Sequence, residues 1–340
     1  MITIDGTNGG GQVLRTALSL SAITQQPFLL QNIRGARPKP GMGAQHVMAV
    51  KAASDICHAS AEGAKRDSMS LRFMPGKIKG GSFSWDIGTA GSTTLILQTV
   101  LPILFYADGP SKITIRGGTD TEHALPSLDA RDVFLDVVCR MNLDVDMSID
   151  SFGFFPKGQG QITATIVPNK RFSGVHISNR GLPERLQVTA VVSKDLQGKK
   201  VAERMVQAFM EKVVWVNSKE VKEDYVTTAD TGGFLHAHTH FTNTVLGATV
   251  LAEKKKSAEH IGYEVAALLN QELASAATVD GYTADQLMVY FALAGDGSCK
   301  VREITDHMRS NAAVIEQFLP VKFTFENNEL KVNTIKSERG

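Results

Sequence analysis

Few residues of this chain have the type and setting to carry chemistry, and His307 is the first of them. It opens the stretch HMRSNAAVIEQFLP, in which Met308, Ala312, Ile315 and Leu319 recur at helical spacing, Thr305 and Asp306 are candidate caps and Pro320 is the stop. At a helix N-terminus the unpaired backbone N–H groups and the dipole favour anions and disfavour a protonated imidazole. A neutral imidazole beside a phosphate site is what nucleophilic attack on a phosphoryl group requires. The competing reading is a plain surface histidine at a helix start, the usual state of an isolated histidine.

Three further features stand beside it. Gln98 lies inside the very apolar TTLILQTVLP, where an amide must find a partner or cost stability, so it is either a structural bridge or a ligand contact. Gln12 and Gln286 occupy the starts of the corresponding helices of the repeat described below. GTNGGGQVLR, a strand followed by consecutive glycines and a helix, lets backbone N–H groups approach a phosphate or simply makes a tight turn. It is neither a Walker A motif nor a GxGxxG. HAHTH sets His236, His238 and His240 on one face of an extended strand, a plausible metal-ligand spacing or else a polar exposed face.

The elements that must position these residues repeat. Periodicity predicts strand 2–4, helix 12–24, strand 28–33, helix 42–59 and strands 70–74 and 82–87. The same order returns as helix 92–106, strand 112–116, helix 127–141 and strands 145–148 and 161–167, a period of about 80 residues. It returns again as helix 285–293, strand 300–304, helix 307–319 and the hairpin 321–325 and 329–334. Residues 1–171 and 276–340 therefore read as one large domain of three units, interrupted by a smaller domain at 172–275 that carries the charged stretches GKK and EKKK. Three like units packed together would bring equivalent loops to one cleft: IRGARPKPGMG with Arg34, Arg37 and Lys39, GGTDTEHALP with Asp120 and His123, and EITDHMRSN with His307.

Composition bounds the function. With 340 residues, 43% hydrophobic and 21% charged, the chain has ample apolar surface for a core, and a net charge of +1 leaves any nucleic-acid contact to a local basic patch. Cys57, Cys139 and Cys299 are far apart and odd in number, as expected in a reducing cytoplasm. The opening MITIDGTNGG has no basic n-region or apolar core, so no secretory signal is expected. The most apolar run, 95–107, is interrupted by Gln98 and Pro102 and is too short to span a bilayer.

GTAGSTTLILQTVLP, IRGGTD, GYTADQL with ALAG, and HMRSNAAVIEQFLPV, in this order and supported by IDG, GGGQVLRTALSLS, RPKPGMGAQH and EKKKSAE, together resemble the RNA 3'-terminal phosphate cyclase family over nearly the whole chain. The resemblance implies an α/β (α+β) fold of three βαβαββ-type units with an inserted α/β domain. It implies ATP-dependent conversion of an RNA 3'-terminal phosphate to a 2',3'-cyclic phosphate through a covalent histidine–AMP intermediate. His307 matches the adenylated histidine. Gln98 matches a nucleotide-contacting glutamine; Tyr282, Thr283, Ala284, Asp285 and Gln286 fall in the ATP-binding block. Arg34, Arg37, Gln45 and His46 fall in the basic loop facing the substrate phosphate. ATP and a divalent ion, Mg2+ or Mn2+, are the implied cofactors. RNA is the implied partner, with no membrane, in the cytoplasm. The chain departs from the family in reading GTNGGGQ for GEGGGQ, which sets Asn8 in a loop that elsewhere holds a metal-coordinating glutamate. It also has Thr249 for an adenine-packing aromatic and Leu125 for a proline. A non-catalytic RNA-binding or ribosome-assembly homologue is the alternative function, and a metal-dependent hydrolase using HAHTH a third.

Overall fold

The computed structural model describes residues 1–215 and 217–335. Unit one runs β1 (Ile2–Asp5), α1 (Gly10–Thr24), β2 (Phe28–Gln31), α2 (Ala44–Cys57), β3 (Ser60–Glu62) and β4 (Leu71–Met74). Unit two runs β5 (Gly81–Asp86), α3 (Thr93–Leu104), β6 (Ser111–Gly117), a π-helical turn (Asp129–Phe134) leading into α4 (Leu135–Arg140), β7 (Asp144–Ser151) and β8 (Gly160–Val167). A two-residue strand, β9 (His176–Ile177), precedes the insert: β10 (Pro183–Ser193), α5 (Val201–Lys212), β11 (Ser218–Val226), β12 (Gly233–Phe241), β13 (Thr244–Leu251) and α6 (Ala258–Ala274). The chain closes with α7 (Gly281–Ala294), β14 (Asp296–Lys300), α8 (Asp306–Phe318), β15 (Val321–Glu326) and β16 (Glu329–Thr334).

The sheets β1-β2-β4-β3, β5-β6-β8-β7 and β9-β14-β16-β15 share one topology. In each, the first two strands pair in parallel, and the second pairs antiparallel with the last. Parallel pairing needs a crossover, which α1 and α3 supply in units one and two. In unit three the crossover holds the whole insert as well as α7. The closing hairpin of unit three turns on Asn327 and Asn328, both left-handed at φ 51 and 59, the conformation a two-residue hairpin turn demands.

This pairing moves several expected boundaries. The strand expected at 82–87 as the end of unit one is β5, which opens unit two because it pairs in parallel with β6. Unit one's hairpin is closed instead by the short β3. β9 lies inside the range 172–275 expected for the insert, yet it pairs with β14, so the insert interrupts unit three after its first strand. The strand expected at 300–304 lies at Asp296–Lys300. The helix expected from Asp285 begins at Gly281, because Asp280 caps it: its carboxylate accepts from the Thr283 N–H at 2.9 Å and the Thr283 hydroxyl at 2.8 Å.

α1, α2, α3, α7 and α8 pack with the three sheets around one apolar core. The insert has its own, in which Leu186, Val188, Leu235 and Ala237 of its sheet meet α5 and α6. Both linkers of the insert are held by Arg180, whose guanidinium donates to the carbonyls of Glu272, Leu273, Ser275 and Ala277 at 2.5–2.9 Å. Those carbonyls stand at and just past the C-terminus of α6, where helical N–H donors run out. The other face of β12 turns to unit two, where Phe234 packs with Leu128 and Phe154. No helix among the described residues is long and apolar enough to cross a membrane.

Candidate active site

The first helices of the three units and α8 converge on one cleft, lined by Gln12 and Arg15 of α1, Gln98 of α3, Asp285, Gln286 and Tyr290 of α7, and Asn311 of α8. Arg15, Gln98 and Gln286 each stand six residues after the helix cap, at Gly9, Ser92 and Asp280. The repeat thus places one long polar side chain per unit into the same space. Thr16 donates to the Asn311 Oδ1 at 2.7 Å, and Asn311 Nδ2 donates to the Asp285 carbonyl at 3.2 Å, tying α1, α8 and α7 together beneath it.

His307 is exposed at the mouth, on the first turn of α8, which Thr305 caps by accepting from the Met308 N–H at 3.2 Å. Gln12 fixes its ring. The Gln12 Nε2 donates to Asp285 Oδ2 at 2.6 Å, which turns its Oε1 to His307 Nδ1 at 3.1 Å. A carbonyl oxygen only accepts, so the Nδ1 carries the proton and Nε2 keeps a lone pair directed outward. Burial pushes the Asp285 carboxyl up, while the Gln12 bond and the charges of His307 and Arg15 pull it back.

Inside the cleft, hydrogen-bonding groups are left over. Both amide atoms of Gln98, Oδ1 of Asp285 and the Tyr290 hydroxyl are buried with no partner among the described residues. Gln98 therefore bridges nothing, and of its two readings the structural one has no bond to rest on. An unpaired buried polar atom costs about 1–3 kcal/mol. Four such atoms around one space describe a site complementary to a polar guest.

A basic rim adjoins the mouth. The loop before α2 folds over the start of α1, with the Arg37 guanidinium 3.2 Å from where a Cβ on Gly10 would stand and His46 Nε2 2.4 Å from one on Gly11. Only glycine at position 11 admits the imidazole this close. His46 Nδ1 accepts from the Gly43 N–H at 3.0 Å, and burial with the charges of Arg15 and Arg34 pushes its pKa down to about 3. Burial also lowers Arg15 to about 10. Among the described residues no carboxylate lies within ion-pair distance of Arg15, Arg34, Arg37 or Lys39. Cations without a carboxylate partner, Arg37 against Gly10 and Arg15 against Gly11, beside a helix N-terminus that lacks a side-chain cap make a surface for phosphates.

The expected meeting of all three loops is only partly realised. Asp120 is turned inward, accepting from the Ser127 N–H and the hydroxyls of Ser127 and Thr119 at 2.7–3.0 Å, with burial raising its pKa to about 6. His123 is exposed and does not line the cleft. Within the GYTADQ block, Asp285 and Gln286 line the cleft, Thr283 is engaged with its cap, Ala284 is in the core and Tyr282 is 74% exposed on the first turn of α7. Gln45 accepts from the Ser92 N–H at 3.2 Å and so holds the start of α3. Leu125 is buried in the core, its carbonyl accepting from the Thr94 hydroxyl. Thr249 lies away from the cleft, bonded to Asp129 and His236; of the HAHTH histidines, His236 and His238 are buried there with it and His240 is half-buried.

Arg15, Tyr290 and Asn311 escaped the sequence reading. Arg15 was recoverable from its register with Gln98 and Gln286, and Tyr290 from its position one helical turn after Gln286. Asn311 carries no such signal. Compared with known families, the chain matches the model described as RNA 3'-terminal phosphate cyclase over residues 7–325.

Proposed function

The chain belongs to the RNA 3'-terminal phosphate cyclase family, and from that premise we propose that it uses ATP to convert an RNA 3'-terminal phosphate to a 2',3'-cyclic phosphate through an adenylate on His307. The observation that carries this reading is the Asp285–Gln12–His307 chain, which keeps a proton on Nδ1 and leaves Nε2 as an exposed nucleophile beside unpaired cations.

In the first step Nε2 of His307 attacks the α-phosphorus of ATP, the bond to the bridging oxygen breaks and pyrophosphate leaves. The positive charge that develops on the ring is met through Gln12 by Asp285. An oxygen of the RNA 3'-phosphate then displaces the histidine from the AMP phosphorus. Finally the vicinal 2'-hydroxyl attacks the 3'-phosphorus, its proton passes to solvent and AMP departs with the bonding electrons. Attack by a neighbouring hydroxyl on an activated phosphate gains most of its rate from proximity.

Gln98, Tyr290 and Asp285 Oδ1 offer donors and acceptors to the adenosine, and Arg15, Arg34 and Arg37 offer charge to phosphates. Mg2+ or Mn2+ would enter with ATP, held by phosphate oxygens and water. Among the described residues lining the cleft the one carboxylate is Asp285, already engaged by Gln12. The unpaired thiols Cys57, Cys139 and Cys299 fit action in a reducing cytoplasm.

The test is incubation with α-labelled ATP. Wild type is expected to form an acid-labile protein adenylate and to consume a 3'-phosphorylated oligonucleotide; His307→Ala forms no adenylate. Adenylate on the His307→Ala protein overturns the mechanism. Binding of the oligonucleotide with neither adenylate nor product identifies the non-catalytic homologue instead.

A further inference from the structure

A second polar cluster lies where β12 of the insert meets the π-helical turn of unit two. His236 and His238 are 0% and 5% exposed. Thr249 donates to the Asp129 carboxylate and lies 2.8 Å from His236 Nδ1. His236 Nε2 is 2.9 Å from His238 Nδ1, and His238 Nε2 is 3.0 Å from Gln187 Oε1. The Gln187 amide cannot be turned round, because its Nε2 donates to Glu220 at 2.7 Å.

This chain begins and ends on acceptors, a carboxylate and a carbonyl, and four contacts join them. The Thr249 hydroxyl and two neutral imidazoles bring three protons. One contact therefore lacks a hydrogen. With Thr249 donating to Asp129, His236 must donate from Nδ1, and with Gln187 fixed, His238 must donate from Nε2. The two remaining ring nitrogens, His236 Nε2 and His238 Nδ1, then face each other as lone pairs. A fourth proton between the two rings would resolve this, and so would a cation, for which Asp132 stands ready as a third ligand.

We propose that a divalent transition ion of the zinc class takes this position, bound by His236 Nε2, His238 Nδ1 and Asp132 Oδ2. These three atoms all lie within 4.8 Å of one another, with Asp132 Oδ2 3.9 Å from His236 Nε2. Tetrahedral ligation at about 2.0–2.1 Å separates ligand atoms by roughly 3.4 Å, so the rings turn apart by about half an ångström. Two imidazoles and a carboxylate suit zinc and its neighbours. Each imidazole donates its other N–H to a fixed acceptor, His236 to Thr249 and on to Asp129, and His238 to Gln187, the arrangement that orients a metal-bound histidine. Arg131 grips the Asp132 carboxylate at 2.6 and 2.8 Å, and each oxygen keeps a further lone pair. The ion would join insert to body, since Asp132 belongs to unit two and the histidines to β12. Its open side faces a charged cleft that holds Asp136, Asp146, Arg185 and His240.

The site is independent of adenylate chemistry, and so is its test. Untagged full-length protein is stripped with a chelator and titrated with Co2+, followed by visible ligand-field absorption. One equivalent is expected to bind, Zn2+ to displace it, and His238→Ala to abolish the bands. Thr249→Val, which breaks only the link from His236 to Asp129, is expected to lower Co2+ affinity about 10–100-fold, and it serves where His238→Ala does not fold. Absence of bands in wild type, or wild-type bands and affinity in either folded variant, overturns the proposal and leaves a retained proton between the two rings.

Discussion

The cleft below His307 and the histidine cluster on β12 both bury polar side chains, and they differ in how those side chains are partnered. In the cleft, Gln98, Asp285 and Tyr290 keep atoms with no partner. On β12, every ring nitrogen of His236 and His238 has a neighbour within 3.0 Å, and what is short is a proton. Leftover valence around a cleft describes a guest that comes and goes. A saturated chain inside an interface describes a resident that is part of the fold.

Next to the loss of His307 itself, the largest effect should come from Gln12→Leu. Without the amide, nothing fixes the His307 tautomer, and the single-turnover rate of adenylate formation is expected to fall about 100-fold or more while ATP affinity is nearly kept. An unchanged rate would show that Gln12 only packs. Gln98→Leu tests the leftover valence directly. It removes unpaired atoms, so denaturant unfolding should show a gain of about 1 kcal/mol, while ATP affinity measured by calorimetry falls about tenfold. Gln187→Leu, in the saturated chain, should instead lose about 1–3 kcal/mol. If both variants move stability in the same direction, the contrast between the two regions fails.

A smaller effect is expected in the pH dependence of stability. His46 has a folded-state pKa near 3, depressed by burial and by Arg15 and Arg34, against about 6.5 unfolded. The unfolded chain binds the proton more readily, so this contribution is fully present above about pH 6.5 and is lost toward pH 3, at up to ~1.4 kcal/mol per pH unit. Asp120 and Asp280, both raised to about 6 by burial, act in the opposite sense and lower stability as pH rises from about 4 to 6. Urea unfolding of His46→Gln across this range should therefore show stability falling with rising pH where wild type shows less fall or a rise. The smallest effect is that of Arg37→Ala, expected to reduce the salt dependence of binding to a 3'-phosphorylated oligonucleotide by about one ion, read by anisotropy.

How much of this was legible in the sequence depended on distance along the chain. Helical patterns around Gln98 and His307 were readable because cap, apolar period and stop lie within one segment. β9 was not readable, because two residues carry no period and their partner lies beyond the insert. Alternation marks the strand at β5 but says nothing about which edge a strand joins, and its pairing with β6 is what assigns it to unit two. Alternation in HAHTH sets the histidines on one face, and both faces of the strand are covered: Leu235 and Ala237 meet α5 and α6, and His236 and His238 meet a turn that lies about a hundred residues earlier. The tautomer of His307 could not be read at all, because it is set by Gln12 at the other end of the chain.

The π-helical turn Asp129–Phe134 stands between the two regions. It presents Phe134 to the cleft and Asp129 and Asp132 to the histidines. Asp129 and Asp132, three residues apart, share one face of it, and Phe134 points the other way. Linkage then follows from thermodynamics alone: whatever factor nucleotide adds to the affinity of the histidine cluster for its ion, the ion must add to the affinity of the cleft for nucleotide. Any such coupling would therefore be measurable from either side, by titrating the ion with and without nucleotide or the nucleotide with and without ion.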